Sequence, residues 1–115
     1  MVETLGQRIR KKRTERDIGL REMARMLDIS PAYLSRVETD EEKSPPGEDT
    51  IKKIAKLLAD DFNVLMHLAG RVPSDVGDML KEDPDLPQFL RTAKARGLTG
   101  KELEQLLPKS KGKRP

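Results

Sequence analysis

Apolar residues recur along this chain in short stripes with helical spacing, separated by turn residues. Leu20, Met23, Ala24 and Leu27 stand at i, i+3, i+4 and i+7, one buried face of a short helix. Ile51, Ile54, Ala55 and Leu58 repeat that pattern in a core helix. Before them, Leu5 and Ile9 supply a narrow apolar edge behind the capping residue Thr4; the rest of that segment is dominated by Arg8, Arg10, Lys11, Lys12, Arg13 and Arg16. Asp61 caps a fifth helix carrying Leu65 and Leu68, which a C-terminal glycine stop ends at Gly70.

Turn chemistry places the boundaries. Ser30 followed by Pro31 gives an N-cap and a proline at the first helical position, where its missing N–H costs nothing. The connector Leu27-Asp28-Ile29-Ser30 is long enough only for a tight turn, and Asp28 tolerates a left-handed backbone, so the helices on either side are held at a fixed angle. Residues 39–49, with Pro45, Pro46, Gly47 and five acidic residues, read as an exposed loop. Val72-Pro73-Ser74 breaks the chain again. Beyond it, Val76, Met79 and Leu80, then Leu86, Phe89, Leu90 and Ala93, give two further stripes. Thr99 and Glu102 have capping-box spacing ahead of Leu103, Leu106 and Leu107. The predicted organisation is all-α: a five-helix domain over residues 1–71, a helical annex over 72–107 and a flexible basic tail over 108–115.

Composition narrows the function. Three aromatics and 37% charged residues in 115 favour packed amphipathic helices over a β-sandwich. With no cysteine, disulfides, thiolate metal sites and cysteine nucleophiles are excluded. The N-terminus lacks an apolar signal core and no apolar run reaches the ~20 residues of a membrane span, so the expectation is a soluble, cytoplasmic protein. The net charge of +3 matters less than its distribution: residues 1–38 carry nine Lys/Arg against six Asp/Glu, and residues 39–49 carry one against five.

Two helices joined by a tight turn and followed by core helices form the layout in which the second helix enters the DNA major groove while the first crosses the backbone. Here the reading helix is SPAYLSRV, residues 30–37. Leu34 and Val37 point inward, so Ala32, Tyr33, Ser35 and Arg36 are expected to be free to meet base edges and phosphates, with Ser30 at the helix start. Arg36 carries the strongest expectation, because a guanidinium matches guanine O6 and N7 bidentately.

The segments LGQRIRKKR, LREMARMLDISPAYLSRVE and TIKKIAKLLADDFNVLMHLAG, in that order and spacing, resemble the phage-repressor or Cro-like (Xre-type) helix-turn-helix regulators over residues 4 to about 70. The resemblance implies a lambda-repressor-like fold, a structural ion pair between Arg13 and Glu38, and phosphate contacts from Arg21 and Lys43 assisted by helix N-terminal amides. Asp28 replaces a frequent glycine of the family, Leu20 a frequent glutamine, and Lys12 and Asp60 stand where apolar residues are usual, which implies a smaller core.

Other features favour plainer readings. His67 has no second ligand-type residue at i+3 or i+4, the acidic loop lacks the alternating calcium-ligand pattern, and the methionines have core-type spacing without an implied effector pocket. No convergent nucleophile, base or metal set suggests an enzyme, and no cofactor is implied. The expectation is a sequence-specific transcriptional regulator, a repressor before an activator, binding a double-stranded operator as a homodimer. The alternative from another class is the antitoxin of a toxin–antitoxin pair, whose annex binds a small protein partner while the same helices autoregulate. Dimerisation is expected through the annex, or in the rival arrangement through the fifth helix with Phe62 and Met66.

Overall fold

The computed structural model describes residues 2–108. Among the described residues the chain is all-helical: α1 Leu5–Glu15, α2 Leu20–Leu27, α3 Pro31–Glu38, α4 Glu48–Leu58, α5 Phe62–Leu68, α6 Ser74–Glu82, α7 Asp85–Ala95 and α8 Gly100–Gln105. Local chemistry accounts for most of the boundaries. At α1 the Thr4 hydroxyl accepts from the Gln7 amide while the Gln7 side chain accepts from the Thr4 amide, a reciprocal capping box. Ser30 accepts from the Tyr33 amide at 3.0 Å, and Asp61 accepts from Asn63 and Val64. A second capping box joins Thr99 and Glu102. The start of α4 differs from the expectation drawn above: Glu48 and Asp49 belong to its first turn rather than to the loop, and Gly47 occupies the cap without a side-chain bond. Carboxylates are favoured there by the positive end of the helix dipole.

Two compact units divide the described residues, the first ending at Ser74 and the second beginning at Asp75. In the first, Leu5, Ile9, Met23, Ala24, Leu27, Leu34, Val37, Ile51, Ile54, Ala55, Leu58, Leu65 and Met66 make one buried cluster contributed by all five helices. Met66 is 1% exposed, so it belongs to the core and is not available to the rival dimer face suggested by the sequence.

Polar ties then fix the helices around that core. Gly6 of α1 lies so close to the end of α3 that an added Cβ would collide with the Val37 and Glu38 carbonyl oxygens. Across the same contact, Asp40 accepts from the Thr4 hydroxyl at 2.7 Å and from the Gly6 amide at 3.3 Å. Arg8 donates to both Asp60 oxygens at 2.8 and 2.7 Å, so the carboxylate at a position read as an intruder in the core has a dedicated partner on α1. Arg16 donates to the Leu58 carbonyl at the end of α4, whose next residue, Ala59, turns left-handed with φ 51°.

The second unit has far less interior. Neither α6 nor α8 buries a residue, and α7 buries only Ala93. Val76, Met79, Phe89, Leu90, Leu98, Leu106 and Leu107 are exposed. The basic tail expected over 108–115 lies, apart from Pro108, outside the described residues.

Candidate nucleic-acid interface

The turn between α2 and α3 carries the geometry on which the interface rests. Asp28 adopts φ 59° and ψ 45°, and the Ile29 amide returns to the Ala24 carbonyl at 2.9 Å, so the chain leaves α2 and enters α3 within three residues. Left-handed backbone is accessible to Asp at small cost, which is how the turn closes without glycine. Ala24, Leu34 and Val37 are buried between the helices. With its inner face locked and its N-terminus capped, α3 is a rigid presenting element.

Its outer face is exposed at Ala32, Ser35 and Arg36, and Ser30 is exposed at its start. Tyr33 is different from the free residue expected of it: it is half-buried and packed against the core. Burial, with a smaller contribution from the charge of Glu42, pushes its hydroxyl above the ordinary tyrosine value. Arg36 lies over the Tyr33 ring, 6.0 Å from guanidinium carbon to centroid, and its Nε donates to Glu42 Oε1 at 2.7 Å. Its side chain remains 47% exposed.

Arg21 is exposed in the first turn of α2, and Lys43 is exposed in the loop after α3. That loop is tied down at both ends. The Glu41 and Glu42 amides donate to the Arg36 carbonyl at 2.8 and 3.2 Å, and Arg71 donates to the Pro46 and Pro45 carbonyls at 2.7 and 2.8 Å. Serine hydroxyls, the Arg21 and Arg36 guanidinium groups and the Lys43 ammonium are thus exposed along α2, α3 and the following loop, donor types that phosphates and base edges accept from.

Behind the interface, Arg13 donates to both oxygens of Glu38 at 2.7 and 2.9 Å and to the Ile18 carbonyl at 2.8 Å. The Glu38 side chain is 3% exposed and that of Arg13 11%. Hydrogen bonding to Glu38 outweighs desolvation and raises the Arg13 pKa above its ordinary value, so the guanidinium keeps its charge despite its burial. It welds α1 to the last residue of α3. A groove of about 480 Å³ also opens in this unit, lined by Val2 to Leu5, the loop residues Pro45 and Pro46, and His67 to Ala69.

Residues 9–59 match the family model described as helix-turn-helix, a span running from within α1 to the residue after α4. They are a helix-turn-helix domain. Over 71 residues the chain is 32% identical to the HTH-type transcriptional repressor RghR of Bacillus subtilis, covering 62% of this chain and 52% of that protein. It is 28% identical over 99 residues to the uncharacterized HTH-type transcriptional regulator RghRB of the same organism, covering 84% of this chain and 70% of that one. This chain therefore spans about half the length of the first of these relatives. Among solved structures, the clp gene regulator ClgR of Corynebacterium glutamicum aligns with a TM-score of 0.50 at 21% identity, over 82% of this chain and 90% of that one, a likeness of fold.

Two residues that shape the helix-turn-helix surface were not signalled by the sequence pattern. Glu42, which holds Arg36, sits in a stretch read only as a solvated acidic loop; its spacing of six residues from Arg36 is not a helical pairing distance. Arg71, which pins the same loop from 25 residues away, has no local signature at all.

Proposed function

We propose that this protein is a sequence-specific DNA-binding transcriptional regulator, acting in the cytoplasm on double-stranded DNA, in which α3 enters the major groove and α2 crosses the backbone. The observation that carries the reading is the outer face of α3. It is rigidly backed by a buried cluster and by the Arg13–Glu38 pair, yet it presents Ala32, Ser35 and a half-exposed Arg36 outward within a helix-turn-helix domain. Arg36 reads a base edge, Ser30, Tyr33 and Ser35 contribute adjoining contacts, and Arg21 and Lys43 hold phosphates. Similarity to the transcriptional repressor RghR favours repression.

A second copy of the chain completes the binding unit. One reading helix covers only a few base pairs, and proteins of this architecture gain specificity by pairing half-sites about one helical turn, ~34 Å, apart. Residues 72–107 provide the annex for this pairing: Val76, Met79, Phe89, Leu90, Leu106 and Leu107 leave it an apolar surface out of proportion to its single buried side chain. The same surface would serve the antitoxin alternative. Sedimentation of the full chain distinguishes the two, a self-associated dimer supporting this reading and a monomer that pairs only with a different small protein supporting the other.

The test of the reading helix is Arg36→Ala. It is expected to lower affinity for a selected operator duplex by about 1–3 kcal/mol while leaving random duplex binding nearly unchanged. Equal losses on both duplexes would place Arg36 among the phosphate contacts and remove its reading role.

A further inference from the structure

The contact between Arg36 and Glu42 bears on how a base is read. We infer that Glu42 is a positioning residue for base recognition: it holds the Arg36 guanidinium by Nε and so presents both terminal nitrogens to a single guanine. The inference rests on the DNA-binding reading above and adds a specificity-determining residue from outside the helix pair.

The geometry supports it in three respects. Glu42 Oε1 accepts from the Nε–H at 2.7 Å, a donor that end-on bidentate contact of Nη1 and Nη2 with guanine O6 and N7 leaves unused. Among the described residues, the terminal nitrogens Nη1 and Nη2 make no hydrogen bond and stay available. Second, the Tyr33 ring lies against the guanidinium at 6.0 Å, so a long side chain that would otherwise sample many rotamers is limited on two sides before DNA arrives. Third, Glu42 is itself fixed. Its amide donates to the carbonyl of Arg36, its side chain is only 26% exposed, and Arg71 ties down the far part of the loop.

The carboxylate has a second effect with the same sign on specificity. A negative charge beside the reading helix repels phosphate, so it weakens binding to every duplex, and only a duplex that satisfies Arg36 recovers the loss. Removing Glu42 is therefore expected to strengthen random binding and weaken discrimination together.

The experiment selects duplexes of about 20 base pairs from a random pool with the full-length protein, then repeats the selection with Glu42→Ala, Glu42→Gln and Arg36→Ala. Wild type is expected to fix a guanine at one position of each half-site. Glu42→Ala should relax that position alone, with about a tenfold fall in the preference for guanine when duplexes differing at that base pair are titrated. Glu42→Gln, which keeps an acceptor oxygen, should fall between, and Arg36→Ala should lose the same position. Because the pair is at the surface, melting of Glu42→Ala should match wild type. Undiminished guanine preference in Glu42→Ala would overturn the inference, as would tighter binding by the same factor to selected and random duplexes, the mark of a simple mask over Arg36. A wild-type protein that selects no duplex at all would instead bring down the DNA-binding reading, and the inference with it.

Discussion

Replacing Glu38 by alanine tests the structural weld behind the reading helix. The substitution removes both carboxylate oxygens that Arg13 bonds and leaves its side chain, 11% exposed, with the Ile18 carbonyl as the remaining acceptor. Breaking a buried pair by removing one partner costs about 3–5 kcal/mol, because the orphaned charge stays desolvated. Some water reaches Arg13, so the lower end, about 3 kcal/mol, is expected. That is a large part of the roughly 5–15 kcal/mol by which domains are stable, and for a unit of this size it lowers the melting temperature by about 12–24 °C. Thermal unfolding followed by circular dichroism reads the shift. The double change Arg13→Met with Glu38→Leu should recover most of it, since replacing both partners by apolar groups removes the buried charge as well as the bond. A shift below about 4 °C for Glu38→Ala, or a double variant as unstable as the single one, would refute the reasoning.

Three further outcomes follow from the packing. Bonding to Arg8 holds the Asp60 carboxyl below its usual range, whereas an unfolded aspartate takes up its proton near pH ~3.9. Between that pH and the lower folded value the unfolded chain binds more protons, so the stability contributed by the pair is present above about pH 4 and lost as pH falls. Asp60→Asn should therefore cost about 2 kcal/mol at neutral pH and flatten the acid limb of denaturant midpoints measured from pH 5 to 2; an unchanged limb would contradict the pairing. Gly6→Ala should destabilise by about 2–3 kcal/mol in urea unfolding, because its Cβ has no space beside the Val37 and Glu38 carbonyls, and wild-type stability would show that α1 and α3 are not in such close contact. Ala59→Gly should stabilise by about 1 kcal/mol by relieving a left-handed backbone, a gain that a denaturant midpoint lower than wild type would rule out.

The fold was largely legible because its boundaries are written in local chemistry. Thr4, Ser30-Pro31, Asp61 and the Thr99/Glu102 pair each cap the helix that follows them, and the apolar stripes of α2 and α4 are the buried faces. Weak local signals hide the rest. Gly47 caps α4 without a side chain to announce it, and the acidic Glu48 and Asp49 look like loop until the helix dipole is considered. Long-range ion pairs have no period to betray them. The sequence shows Asp60 as a polar intrusion because its partner Arg8 lies 52 residues away, and shows Arg36 as wholly free because its partner lies in a loop whose path the sequence does not specify. Helical position alone puts Tyr33 on the outer face, whereas its size lets the ring fold back onto the core beneath Arg36.

The central claim is that α3 of two copies reads DNA, and a footprint of the full-length protein on a duplex selected from a random pool tests it most directly. The account predicts two protected half-sites about one helical turn apart, at major grooves on one face of the duplex, with protection by Arg36→Ala lost at salt concentrations where wild type still protects. A single uninterrupted protected stretch of arbitrary sequence, or no protection even at high micromolar protein, would contradict it.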